Sequence, residues 1–248
     1  MSAPEPLLAV KDLTAAIATR HETVEAVRGI SFDIAPGEAV GFVGESGCGK
    51  SVTARAIMRL AAEGTSVALG GIVSFRGRDI LKLSEREMLD VRGSQIAMVF
   101  QDPMSSLNPV MTIGAQIDDM LRQHKKLGPK AARERTVELL NSVGIPDAKR
   151  RADDHPHQFS GGQRQRILIA VAISCDPDLL IADEPTTALD VTVQAQILRL
   201  LMQLREERGM SLMLITHDFG VVAGMVERVN VMYRGEVVET GQVDEIFV

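Results

Sequence analysis

Apolar and polar positions alternate in two stretches near the start of the chain, Leu7 to Leu13 and Val24 to Ile34; in the second, Ile30, Phe32 and Ile34 are separated by Ser31 and Asp33. A period of two predicts strands with one buried face, and Pro36-Gly37 stops the second. Ala39-Val40-Gly41-Phe42-Val43 follows as a short apolar strand, then a glycine-rich loop, then a helical stretch from Ser51 to Leu60. That is a β-loop-α unit. Ser84 with Glu87 three residues later makes a capping box for a short helix ending at Val91, and Ile96 to Phe100 reads as another strand.

Between Gln101 and Ser160 the pattern becomes helical, around Thr112 to His124 and Lys130 to Val143, the second helix entered through Gly128-Pro129 and left through Gly144. This predicts a helical insertion. Strand and helix resume with Leu179 to Ala182, Val193 to Arg208 ending at Gly209, and Leu212 to Thr216. The unbroken apolar run Leu179-Leu180-Ile181-Ala182 suits a parallel sheet covered on both faces. Arg228 to Tyr233 and Glu236 to Thr240, around Arg234-Gly235, predict a terminal hairpin.

Composition narrows the function. At 248 residues, 45% hydrophobic and 24% charged, the chain fits one large α/β domain or a core with one insertion. A formal charge of -6 argues against a broad basic footprint, and 3% aromatic residues with no Trp leave no stacking platform, so nucleic acid is not an expected partner. Two cysteines, Cys48 and Cys175, fit a reducing compartment, with the cytoplasm as default. Residues 2–6 lack the pattern of a secretory signal and read as a loose tail. The longest strongly apolar run, Ile167 to Ile173, falls well short of the roughly 18 residues of a spanning helix, so contact with a membrane is expected to go through a partner.

Gly44-Glu45-Ser46-Gly47-Cys48-Gly49-Lys50-Ser51 fits G-x-x-x-x-G-K-S between a strand and a helix. Glycines let the backbone wrap phosphate, the helix N-terminus supplies positive potential, Lys50 neutralises the outer phosphates and Ser51 offers a hydroxyl to Mg²⁺. Asp183-Glu184 ends an apolar strand, at the sheet edge where open α/β folds bind ligands. Asp183 is expected to hold Mg²⁺, largely through water, and Glu184 to polarise the water attacking the γ-phosphate. Ser160-Gly161-Gly162-Gln163 opens a helix with a serine cap and bare glycines, a second anion-binding end. One nucleotide does not need two such ends, which is resolved if the second serves a nucleotide held by another subunit.

Lys50-Ser51, Gln101, Ser160 to Gln163, Asp183-Glu184, Ala188-Leu189-Asp190 and His217 after Leu214-Ile215-Thr216 occur in one order, and together they resemble the nucleotide-binding subunit of an ABC transporter. Phe100 to Pro109 and His155-Pro156-His157-Gln158-Phe159 are similar to the peptide, opine and nickel uptake group of bacterial importers, so the two histidines need no metal role. The resemblance implies a P-loop NTPase, RecA-like core over 1–102 and 161–248, with an N-terminal antiparallel β subdomain and a helical subdomain over 103–160. It implies ATP as substrate, bound by residues 44–51 with Val52, and Mg²⁺ held near Ser51, Gln101 and Asp183. Glu184 is then the catalytic base and His217 the γ-phosphate contact. Ser160, Gly161, Gly162 and Gln163 complete the partner's site in a head-to-tail dimer, and Asp190 couples the two sites. The implied partners are an identical or similar subunit, two permeases and, indirectly, an external solute-binding protein, with the chain peripheral on the cytoplasmic face of the membrane. Cargo stays open among peptides, nickel and opines. The competing classes are an ABC ATPase outside transport, in DNA repair or translation, and a regulatory nucleotide-binding module.

Two features depart from the family pattern. Its peptide-type members commonly continue past the point where this chain stops, at Ile246-Phe247-Val248, so the chain is either a shorter member or cut. The family also places an aromatic residue against adenine where this chain has Ile17, so the base is expected to rest on aliphatic surface that includes Val27. Discrimination between ATP and GTP should therefore be weak, below about tenfold or roughly 1.4 kcal/mol in kcat/KM, and a larger preference for ATP in parallel hydrolysis assays would contradict it.

Overall fold

The computed structural model describes residues 5–18, 22–61 and 65–246; of the tail expected at residues 2–6, positions 2–4 lie outside them, as do the final two residues, 247 and 248. The chain begins with β1 (Leu8–Ala18), β2 (Thr23–Ile34), β3 (Ala39–Val43), α1 (Lys50–Ile57), β4 (Ser66–Phe75), β5 (Arg78–Asp79), α2 (Glu85–Val91) and β6 (Ile96–Val99). It continues with α3 (Pro103–Ser106), α4 (Ile113–His124), α5 (Pro129–Ser142), α6 (Ala148–Arg151), α7 (Gly161–Ile173), β7 (Leu179–Asp183) and α8 (Val191–Arg208). It closes with β8 (Ser211–Ile215), α9 (Phe219–Val222), β9 (Arg228–Tyr233), β10 (Glu236–Gln242) and α10 (Val243–Ile246). Two compact units result: residues 1–89 with 211–248, and residues 90–210.

In the first unit an antiparallel sheet runs in the order β2-β1-β4-β5, and a second group runs β10-β9-β3-β8. β3 lies parallel to both β8 and β9, and Ala39, Val40, Phe42 and Val43 are fully buried, as strands covered on both faces must be. The start of β3 is tied down by polar contacts. Arg228 gives two hydrogen bonds to the Glu38 carboxylate, at 2.9 and 3.1 Å, and a third to the Asp33 carbonyl at 2.7 Å. Ser211 accepts from the Gly37 amide and donates to the Ala35 carbonyl, so the Pro36-Gly37 turn is clamped as well. Between β9 and β10, Arg234 and Gly235 both have positive φ, the geometry of a two-residue turn that follows strand twist.

β4 is absent from the sequence reading, and the reason is local. Gly70-Gly71 looks like a turn by composition, yet it sits inside the strand, where the β1–β4 register shifts between Lys11 and Thr14. Asp12 and Gly71 both take positive φ at this bulge. β1 likewise extends beyond the expected Leu13 to Ala18, because pairing with β2 and β4 resumes after the irregularity.

The second unit carries the parallel pair β6–β7, registered Ile96 to Leu179 through Val99 to Ala182, and the helices α3 to α8. Their ends follow the sequence signals. Thr112 caps α4 by accepting from the Ala115 amide, Pro129 opens α5 after Gly128, Asp190 caps α8 and Gly209 ends it at φ 64. For α4, α5 and α8 expected and observed bounds agree to within two residues, whereas α1 in the first unit ends at Ile57, three residues before the expected Leu60.

At Gly71 an added Cβ would lie 2.4 Å from the Asp12 carbonyl oxygen, and φ is +89. Gly71→Ala is therefore expected to lower unfolding free energy by about 1–3 kcal/mol, read as a reduced urea midpoint.

Candidate nucleotide-binding site

In the first unit the glycine loop leaves β3 and enters α1. Gly44, Gly47 and Gly49 take φ of 151, 81 and 108, and a Cβ at Gly44 would come within 2.2 Å of the Met232 carbonyl oxygen. At Gly49 it would meet the Ala26 carbonyl at 2.5 Å. The loop is thus pressed between β9 and β2 in a path that only glycine follows. Two bonds brace it further: the Gly235 amide donates to the Cys48 carbonyl, and the Arg28 amide donates to the Gly235 carbonyl. In the sequence Gly235 marks only a hairpin turn and Ala26 nothing at all, because their part at the loop is backbone contact.

Lys50 begins α1 with only 4% of its surface exposed. Its ammonium donates to the Gly44 and Glu45 carbonyls at 2.8 and 2.9 Å and reaches Cys48 Sγ at 3.6 Å. The charge is therefore poised over the loop. Gly49 caps α1 without a side-chain hydrogen bond, leaving the helix N-terminus to an anion. Ser51 and Val52 follow, both half-buried.

His217 lies just past β8 and is exposed. The turn around it is fixed: the Asp218 amide donates to Thr216 Oγ1 at 3.0 Å, and Asp218 Oδ1 accepts from the Gly220 amide at 2.9 Å. Ile17 is half-buried on β1 opposite Val24 and Val67. Val27 is buried opposite Ala15 and lines a concavity of about 480 Å³ with Thr14, Ala16, Arg28 and Leu69; Ile17 is not among its lining residues.

In the second unit β7 delivers Asp183, 1% exposed, and then Glu184. Gln101 Nε2 and Thr187 Oγ1 both donate to Glu184 Oε2 at 3.0 Å. Two expected site residues, Gln101 and Glu184, are thereby brought together from positions 83 apart. Thr187 is a third contact that the sequence reading missed; its place three residues after Glu184, in a turn closed by the Thr187 amide on the Glu184 carbonyl, was the available signal. Glu184 and Ala188 have φ of 46 and 63, strain of the kind that persists where surrounding bonds hold it. Gln194 supplies some of them, donating to the Thr186 and Leu189 carbonyls. Asp190 serves as the cap of α8, accepting from the Val193 amide at 2.9 Å.

Ser160 opens α7 with a reciprocal capping box: its hydroxyl accepts from the Gln163 amide, and Gln163 Oε1 accepts from the Ser160 amide. A Cβ at Gly162 would lie 2.6 Å from Val193, so the glycine is required by the close approach of α8. His155 and His157 stack at 5.8 Å, and among the described residues no group of three or more His, Cys, Asp or Glu could hold a metal ion. The candidate Mg²⁺ donors Ser51, Gln101 and Asp183 are all oxygen donors with one carboxylate, the sparse set that suits Mg²⁺ bound mainly through phosphates and water.

The fold and glycine loop define a P-loop nucleoside triphosphatase. The family model described as ABC transporter matches residues 27–187. The oligopeptide transport ATP-binding protein OppD of Bacillus subtilis is 53% identical over 241 residues, covering 97% of this chain and 67% of the relative. The dipeptide transport ATP-binding protein DppD of the same organism is 51% identical, covering 98% and 72%. Among solved structures, the dimeric post-hydrolysis state of the ATP-binding cassette MJ0796 bound to ADP and Pi superposes with a TM-score of 0.83 at 29% identity, covering 95% of this chain and 98% of that one. This chain belongs to the ABC transporter family and is one of its ATPases.

Because the loop carbonyls and glycines stay in place without the amine, Lys50→Ala should leave the fold intact and weaken nucleotide binding. Titration with a fluorescent ATP analogue is expected to give at least a tenfold rise in Kd, about 1.4 kcal/mol.

Proposed function

We propose that this chain is the ATP-hydrolysing subunit of a bacterial importer whose cargo is peptides, working on the cytoplasmic face of the membrane beside separate permease subunits. The observation that carries the enzymatic part is the Glu184 carboxylate, held by Gln101 and Thr187 at a strained backbone position. The peptide assignment rests on the oligopeptide and dipeptide transport names of relatives above 50% identity. Among the described residues no helix is long and apolar enough to cross a membrane, in keeping with a peripheral subunit.

In this reading Lys50 and the amides of residues 44–52 bind the ATP phosphates, and Ser51, Gln101 and Asp183 hold Mg²⁺, which when bound offsets phosphate charge. Glu184 accepts a proton from the attacking water, while the hydrogen bonds from Gln101 and Thr187 aim its carboxylate. His217 contacts the γ-phosphate. Ser160, Gly161, Gly162 and Gln163 present the α7 N-terminus to the nucleotide of a second subunit, identical or similar, and Asp190 couples the two sites. Ile17 and Val27 support the base.

We read residues 103–160 as the helical subdomain that receives a permease helix. Met104 and Val110 are 53% and 81% exposed there, and Gln116 braces the turn carrying Val110 through hydrogen bonds with the Asn108 amide and carbonyl. Apolar side chains held outward in this way suit a protein partner.

Glu184→Gln is expected to cut ATP hydrolysis on the order of 10²-fold while ATP binding persists and a closed dimer accumulates. Near-wild-type turnover would refute the role of Glu184. Recovery of a membrane permease with the affinity-tagged chain is the expected mark of transport, and its absence from detergent-solubilised native membranes would argue for another ABC ATPase class.

A further inference from the structure

Between the end of β7 and the start of α8 the chain makes two turns in succession. The Thr187 amide closes the first on the Glu184 carbonyl at 3.2 Å, and the Leu189 amide closes the second on the Thr186 carbonyl at 3.3 Å. Ala188 sits inside the second turn at φ 63, a conformation that lasts only where neighbours fix it. Gln194, early in α8, is such a neighbour. Its Nε2 donates to the Thr186 and Leu189 carbonyls, both at 3.2 Å, which are the first and last carbonyls of that turn. Carbonyls only accept, so this clasp depends on the two N–H bonds of one side-chain nitrogen.

The clasped segment also covers the two glycines that open α7. A Cβ added at Gly161 would meet Leu189 Cδ2 at 3.5 Å, and one at Gly162 would meet Val193 Cγ1 at 2.6 Å. Leu189 carries one of the carbonyls that Gln194 holds, and Val193 is the chain neighbour of Gln194. Asp190 completes the closure, its carbonyl accepting from the Gln194 amide at 2.8 Å and its Oδ1 from the Val193 amide at 2.9 Å. A shift of the turn would therefore move Leu189 against Gly161 on one side and disturb the backbone of Glu184 on the other. The side-chain bonds of Gln194 stay within this segment, whereas Lys50 and the phosphate loop belong to the first unit.

We propose that Gln194 is a positioning residue whose clasp on the Thr186 and Leu189 carbonyls sets the Glu184 carboxylate and the glycine end of α7 together. This rests on the function proposed above, in which Glu184 acts on the subunit's own nucleotide and α7 on the partner's. One side-chain amide thereby serves two half-sites, and what it must supply is N–H donors at the right reach. Gln194→Met keeps the reach and removes the donors. Gln194→Glu keeps the shape but turns acceptors toward the carbonyls, and Gln194→Lys restores N–H donors on a flexible stem. All four residues are good helix formers, so α8 is expected to form in each variant.

The test uses the full chain with Mg²⁺ and ATP, the thermal midpoint being recorded for each variant. Gln194→Met should lower kcat about tenfold and Gln194→Glu further, with KM for ATP within about twofold of the parent, while Gln194→Lys recovers most of the rate. In the Glu184→Gln background, light scattering with ATP should show a dimer that Gln194→Met weakens about tenfold, with binding of a fluorescent ATP analogue to the monomer unchanged. A Gln194→Met chain that turns over at the parent rate would mean that the clasp positions nothing. Equal losses in the Lys and Met variants would show that donors are not what the site requires, and a loss confined to KM would place the effect on nucleotide binding; each result defeats the inference. So does a fall in rate with dimer affinity unaltered, because the two half-sites would then not be set together. Should Gln194→Met unfold below the assay temperature, the Lys and Glu variants decide alone, a faster Lys variant supporting the clasp and equal rates opposing it. A Glu184→Gln chain that stays monomeric with ATP overturns the reading beneath the inference instead, a separate and recognisable result.

Discussion

A buried ammonium needs oxygen around it, and the loop after β3 supplies that oxygen from backbone that its glycines and the neighbouring strands hold in place. Lys50 is almost fully enclosed, and the oxygens that satisfy it are the carbonyls of Gly44 and Glu45 in the loop preceding it. For those carbonyls to point inward the chain must curl through three positive-φ glycines, and for the curl to fit it must lie against the Met232 and Ala26 carbonyls with no room for a side chain. The constraint then passes to the strands. β3 is registered between β8 and β9, and Glu38 at its entrance is gripped by Arg228, so the loop starts from a fixed point.

The second unit meets a similar demand with a carboxylate. Glu184 follows a fully buried strand and turns into a left-handed backbone conformation that costs on the order of 1–3 kcal/mol for a non-glycine residue. Hydrogen bonds from Gln101 and Thr187, and the Gln194 amide on the following turn, hold that conformation against relaxation. The tight contact of Gly162 with Val193 fixes the start of α7 against the start of α8 by shape alone. Positive charge is held over one loop and negative charge at one strand end, each by short-range backbone geometry rather than by long-range fields, in keeping with a family whose chemistry is the oriented transfer of a phosphoryl group.

Much of this was legible in the sequence, for a reason that differs by residue. Lys50 and its glycines announce themselves because a phosphate loop admits few residue types, and Asp183-Glu184 because an apolar strand ends in two carboxylates. The helix ends at Thr112, Gly128-Pro129, Ser160 and Gly209 were readable because capping is a local affair between a side chain and the next turn, while α8 begins two residues before the expected Val193. β4 was not readable, since its two central glycines carry the signature of a turn and the strand exists only through pairing with β1. Thr187 was overlooked because its place three residues after Glu184 becomes a contact only once the turn between them closes.

The sequence by itself determined the fold class, the phosphate loop and the family, because spacing and residue type within a few positions suffice for these. Only the tertiary structure decided that Gln101 grips Glu184, that Val27 lines a concavity apart from Ile17, and that Arg164 turns back to the Phe159 carbonyl. Contacts between residues distant along the chain, and the direction in which a long side chain folds, follow from packing in three dimensions, which no one-dimensional pattern encodes.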